Sequence, residues 1–214
     1  MTGTGAGPPK RVTYRHGDLR RALVEAGKEL ARGGGPEAVV LREATRRVGV
    51  APSAAYRHFA DRRALLDAVC SAAQAALAVA IEEEMAGLTG DGDPAGTARA
   101  RLRAVGIGYM RFAKKEPGLF RTAFSASENL RNAASPERAG AGELTPFQLL
   151  GTALDGLAEA GVLPGERRPG AELLAWSAVH GLSVLLIDGP LRELDAVTQE
   201  AVGRRLIDMV ERGL

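Results

Sequence analysis

The stretch from Leu41 to Phe59 restricts the fold of this chain more than any other part of it. Leu41, Ala44 and Val48 fall on one side of a short helix predicted over about 41–47, which leaves Arg42, Arg46 and Arg47 outward. Gly49 follows, and glycine takes the left-handed backbone that a tight reversal needs. Pro52 then fixes the first turn of another short helix, predicted over about 52–58. Only Gly49, Val50 and Ala51 separate the two.

That length and turn chemistry match a helix-turn-helix, whose second helix lies in a DNA major groove while the first braces it across the backbone. The exposed side of the second helix carries Pro52, Ser53, Ala54, Tyr56, Arg57 and His58. Arg57 can grip a guanine edge bidentately or a phosphate, and Ser53 and His58 can serve either role. Tyr56 can pack its ring while its hydroxyl reaches a phosphate oxygen. The alternative for Tyr56 and His58 is that they are ordinary surface residues holding the turn together. Charge divides along the chain: residues 1–70 hold 13 Lys/Arg against 7 Asp/Glu, whereas 71–214 hold 15 against 19. A basic third joined to a mildly acidic remainder suggests a nucleic-acid-facing end on a domain with some other partner.

The rest reads as all-α, about nine helices in total, since aromatics make up only 4% and no strand pattern or repeat occurs. Leu19, Leu23, Ala26 and Leu30 form the stripe of a first helix over about 18–32, stopped by Gly33-Gly34-Gly35-Pro36. No Lys-Ser/Thr follows these glycines, so they do not make a phosphate loop. Asp61 is placed to cap a long fourth helix over about 62–86. Near its end, Glu82, Glu83 and Glu84 read as a solvated face, because consecutive helical residues point in different directions and no histidine lies nearby. Residues 87–96 read as a hinge, and Leu102, Val105, Tyr109, Phe112 and Ala113 mark a fifth helix that Pro117 ends. A short piece with Leu119, Phe120 and Phe124 comes next, then a polar, mobile connection over 126–143. Three more helices are predicted over about 145–160, 170–187 and 194–212.

The expected organisation is a disordered tail (1–13), a helix-turn-helix domain (14–62) and a helical domain (63–214). Lone Cys70 forms no internal disulfide and reads as packing, with a reactive thiol as the minor alternative. The Gly/Pro/Thr-rich start from Met1 to Lys10 has no apolar core, and no apolar run reaches the ~20 residues of a membrane helix. A cytoplasmic protein with no membrane partner, cofactor or metal is expected.

From Tyr14 to Val69 the chain reads YRHGDLRRAL, LREATRRVGVAPSAAYRHF and DRRALLDAV, and these segments resemble the DNA-binding domain of the TetR family. Further on, YMRFAKKEPGLFRTAF and AWSAVHGL resemble a C-terminal domain with a Trp-x-x-x-His-Gly motif, here Trp176, His180 and Gly181. The resemblance implies that Ser53, Tyr56, Arg57 and His58 face DNA, that Arg42 touches phosphate, and that Phe59 is core. Arg62, where the family usually has lysine, would contact the DNA backbone alongside the amides that open its helix. Three positions depart from the pattern: Val40 and Ala51 replace capping Ser or Thr, and Thr45 replaces a packing alanine. Each lost cap costs ~1 kcal/mol, and Pro52 offsets part of it.

The resemblance also implies a cavity for a small-molecule effector in the C-terminal bundle. Tyr109, Phe112, Phe120, Phe124, Trp176 and His180 are the candidates to line it, with plain core packing as their alternative. Leu173, Leu174, Ala178, Leu182, Leu185 and Leu186 spread apolar surface around the eighth helix, and Val202, Leu206 and Val210 add to it from the ninth. Such excess points to a homodimer, and two-fold symmetry to a palindromic double-stranded DNA operator. The function expected is a transcriptional regulator, a repressor released by its effector. A helical protein-interaction module without specific DNA binding is the alternative. Catalysis is disfavoured, because neither His180 with Asp188 nor His16 with Asp18 has a nearby nucleophile or a metal-ligand spacing.

Overall fold

The computed structural model describes residues 16–88, 92–125 and 132–214. Residues 1–15, the expected tail 1–13 among them, lie outside these. Nine α-helices and no strand occur among the described residues. α1 (His16–Gly34) buries Leu19, Leu23, Ala26 and Leu30 and runs two residues past the predicted end, because Gly35, not Gly33, takes the positive φ that stops it.

α2 (Leu41–Val48) and α3 (Pro52–Ala55) form the predicted pair. α3 is shorter than expected as regular helix. The chain keeps turning through 56–58, with the N–H groups of His58 and Phe59 both donating to the Ala55 carbonyl at 2.9 Å, and then Phe59 is drawn into the core. α4 (Arg62–Ala86) has the predicted boundaries, since the Asp61 carboxylate accepts from the Ala64 N–H at 2.8 Å. By length and composition alone α4 is long and apolar enough to cross a membrane, a property the sequence reading missed because Asp67 and Gln74 interrupt its apolar run. Here it is the central core helix, packed on α1, α5, α6 and α7.

α5 (Pro94–Lys115) starts earlier than its apolar stripe does, because Asp93 caps it through the Ala95 and Gly96 N–H groups. Part of the expected hinge is therefore helix, and its residues 89–91 lie outside the described set. α6 (Pro117–Ala123) follows after one residue, Glu116. α7 (Pro146–Glu159) opens on a capping box in which Gln148 N–H donates to Thr145 Oγ1 and Thr145 N–H to Gln148 Oε1. α8 (Ala171–Ile187) and α9 (Ala196–Gly213) pack on each other and on α5.

Two expectations change. Of the connection expected to be mobile, 126–131 lie outside the described residues. Residues 132–143 are tied down: they contain a 3-10 turn (Pro136–Arg138), and Glu82 accepts from the N–H groups of Ala141 and Gly142 at 2.9 and 3.0 Å. Glu82 is thus a loop anchor, and Glu84 pairs with Arg111 of α5, so the acidic run is not simply a solvated face.

Candidate DNA-binding face and ligand cavity

Gly49 makes the reversal between α2 and α3 at φ 75° and ψ 31°, a left-handed conformation that side chains disfavour. Val50 N–H closes the turn on the Thr45 carbonyl at 3.1 Å. Thr45 is buried, but its hydroxyl donates to the Arg42 carbonyl at 2.8 Å, so the polar atom is satisfied. Neither Val40 nor Ala51 provides a side-chain cap. The pair is anchored instead by buried Ala44, Ala55 and Phe59, and Arg20 of α1 lies over the Phe59 ring at 5.3 Å.

On the outer side Arg42, Pro52, Ser53, Tyr56 and Arg57 are exposed, Tyr56 to 59%, while Ala54 and His58 are half-buried. Arg46 and Arg47 share the carboxylate of Glu43. Arg42, Ser53, Tyr56 and Arg57 make no side-chain hydrogen bond or ion pair among the described residues. Cations held outward without internal partners are what a polyanion neutralises most readily.

Arg62 also has partners inside the fold. Its Nε donates to the Val39 carbonyl at 2.9 Å and a terminal nitrogen to the Pro36 carbonyl at 2.8 Å, so it ties the start of α4 to the connection before α2. Charge-assisted bonds of this kind are worth roughly 1.5–3 kcal/mol. Arg62→Ala is therefore expected to lower the stability of the fold by ~1–2 kcal/mol, discounted for partial exposure. Urea unfolding checks this, and an unchanged midpoint would count against it.

A cavity of about 310 Å³ lies where α4–α9 converge. Tyr109, Phe124, Trp176 and His180 line it, as the sequence suggested. Phe120 stands one layer behind, 1% exposed, with its ring centroid 5.5 Å from Tyr109 and 5.4 Å from His180. Phe112 is buried core and forms no part of the wall. Sequence reasoning missed Gln74, Arg138 and Phe147. Gln74 was detectable as the polar break in the apolar face of α4, and Phe147 as an aromatic in the first turn of α7. Arg138 carried no signal, because it reaches the wall from a connection.

Three polar side chains in the wall form a chain. The Trp176 indole N–H donates to the Tyr109 hydroxyl oxygen at 3.1 Å, and that hydroxyl lies 2.8 Å from His180 Nδ1. Burial pushes the Tyr109 phenol far above its ordinary range, against a smaller lowering by the Trp176 bond. Burial also lowers the His180 pKa, which favours the neutral imidazole.

α6 joins this cavity to the DNA-binding end. Gly118 lies so close to α1 that a Cβ would stand 2.2 Å from the Ala31 carbonyl oxygen and 2.6 Å from that of Arg32. Arg32 Nε adds an ion pair to Glu116 at 3.0 Å. On its other side α6 is bonded to α4: Cys70 Sγ lies 3.0 Å from the Thr122 carbonyl, and Gln74 donates to that of Ala123 at 2.8 Å. Cys70 is buried, as its packing role requires.

An exposed helix-turn-helix braced by α1 and α4 and joined to an all-α body is the architecture of a DNA-binding regulator. Residues 23–69 match the family model for bacterial regulatory proteins of the tetR family, and residues 102–210 match the tetracyclin repressor-like C-terminal domain. The chain belongs to the TetR family and is a DNA-binding transcriptional regulator. A solved structure of a protein with unknown function from Rhodococcus sp. RHA1 is similar at 25% identity and a TM-score of 0.68, covering 94% of this chain and 97% of that one. A TetR transcriptional regulator from Rhodococcus sp. RHA1 shares the fold at 21% identity and a TM-score of 0.54, with coverage of 92% and 97%. No curated protein matches the chain.

Proposed function

We propose that the protein is a cytoplasmic, homodimeric repressor that holds a two-fold symmetric operator and lets it go when a small molecule fills the cavity. In this reading residues 14–62 hold DNA, and 63–214 hold the ligand and the second copy. The observation that carries it is the double service of α6: Ala123 and the adjoining Phe124 are cavity wall, while Gly118 rests on the backbone of α1. A ligand that displaces α6 has to displace α1 with it, because packed backbone has no slack to absorb the shift. A coupling of ~1–3 kcal/mol suffices for a useful switch.

Dimerisation is supported by the unpartnered apolar stripe on α8, where Leu174 is 66% and Leu185 43% exposed, and by Val202 and Met209 on α9. Arg42 and Arg57 provide for the DNA.

The test is to recover genomic fragments that the protein retains and to footprint them. A two-fold symmetric footprint is expected, with affinity falling by orders of magnitude between ~50 and 200 mM salt. Leu174→Glu combined with Leu185→Glu is expected to give a monomer by sedimentation and to lose the footprint. Trp176→Ala is expected to keep operator binding and lose release by compounds that act on the parent. Retention of no fragment above bulk DNA would instead favour a protein-interaction module.

A further inference from the structure

Taking the cavity as the effector site, as proposed above, we infer that the effector carries a planar aromatic ring, selected by contact with the rings of Phe124, Phe147 and Trp176. Aromatic residues make up 4% of the chain, yet Tyr109, Phe124, Phe147 and Trp176 all line this one cavity, with the His180 imidazole among them. Tyr109 is buried, whereas Phe124, Phe147 and Trp176 are half-buried and keep part of each ring towards the space.

Trp176 is the hub of the group. Its ring centroid lies 6.0 Å from Phe124 at an interplanar angle of 42°, 6.3 Å from Phe147 at 82° and 5.9 Å from His180 at 60°. Tilted and edge-on pairs leave the faces of the rings unstacked, and a face with negative charge at its centre accepts the positive edge of a further ring. A saturated ring of the same size has no such edge. The hydrogen-bonding groups beside Trp176 are meanwhile turned to one another: its indole N–H donates to the Tyr109 oxygen at 3.1 Å, and the Tyr109 hydroxyl is paired with His180 Nδ1 at 2.8 Å. Ring contact is therefore the selective interaction that this side of the wall offers. A volume of about 310 Å³ is at the small end for ligand pockets, so the ring of an occupant lies within reach of at least one of the three.

Trp176 is the chain's one tryptophan, so its emission reports on occupation of the cavity. The experiment titrates the full-length protein with 4-phenylbutan-1-ol and 4-cyclohexylbutan-1-ol, which share a chain and a polar end and differ in the ring. Trp176 is excited at the red edge of its absorption, where neither probe absorbs. Each affinity is referred to the partition of that alcohol between water and octanol, which removes the greater hydrophobicity of the saturated ring. On that scale the phenyl compound is expected to bind about two- to tenfold tighter, the worth of one favourable ring pair. Phe124→Leu and Phe147→Leu each keep an apolar side chain, and at least one of them is expected to bring the ratio of the two probes close to one. Phe112→Leu changes a core ring off the wall and is expected to leave the ratio as in the parent. Equal binding of the two probes on the partition scale, a ratio indifferent to both wall variants, or the same shift from Phe112→Leu overturns the inference. No saturable emission change with either probe removes the cavity as a ligand site, and the inference with it. Operator mobility shifts on the same samples separate ring selection from release. A phenyl preference that depends on the wall rings but frees no DNA upholds the inference and removes release by that probe. Release by both alcohols in the order of their partition alone upholds release and overturns the inference.

Discussion

Replacing Arg57 by alanine is expected to weaken binding to the operator by about 1–3 kcal/mol at each half-site, and by twice that in a symmetric dimer. The side chain is exposed, has no internal partner among the described residues, and projects from the turn that follows the four residues of α3. Its removal therefore leaves the fold intact, within the ~0.5 kcal/mol typical of surface changes. Affinity for random duplex should fall much less, since a base-edge contact is lost only where the base is present. Arg42→Ala, by contrast, is expected to weaken all sequences alike and to lower the salt dependence by about one phosphate per subunit. Fluorescence anisotropy on operator and random duplexes over a salt series checks both. Equal losses on the two duplexes would move Arg57 to a phosphate, and no loss on either would remove α3 from the docking face.

The second large effect is expected from Gly118→Ala. The added methyl would meet two backbone oxygens of α1, which cannot rotate away as a side chain can, so α6 and α1 must separate. A destabilisation of ~1–3 kcal/mol follows from overpacking alone, and the response of DNA binding to a cavity ligand should weaken with it. Gly156→Ala in α7 is the matched control, because open space surrounds its Cβ position. Alanine there is expected to stabilise the protein by roughly 0.5–1 kcal/mol, the cost of glycine inside a helix. Urea unfolding of the two variants beside the parent gives opposite shifts if α6 is seated on α1 as described. A Gly118→Ala midpoint at or above that of the parent would show that this contact has room to spare, and the proposed transmission through α6 would go with it.

Much of the chain was legible in the sequence because its signals are local. Asp61 and Thr145 start α4 and α7 where their side chains predict, since a cap acts within one turn. Gly49 and Pro52 specify the reversal through their own backbone preferences, and Leu19 to Leu30 show by spacing alone which face of α1 is buried. The outward set of α2, α3 and the turn after α3, including Arg42, Tyr56 and Arg57, follows from the same periodicity.

Other features depend on residues distant in the chain, and only the packed structure decided them. Arg62 looks like a phosphate contact in sequence, yet carbonyls 23 and 26 residues earlier claim its guanidinium. Glu82 reads as one of three solvated carboxylates until Ala141 and Gly142 arrive 59 and 60 residues later to donate to it. The cavity wall takes in Phe124, the residue after α6, and leaves Phe112 of α5 in the core, a division that nothing local to either ring marks. The polar chain from Trp176 through Tyr109 to His180 spans separations of 67 and 71 residues. Periodicity and capping act over about one helical turn, so they place each element and its buried face. Which side chains meet across those faces depends on how α4–α9 pack together, and that packing assembles the cavity.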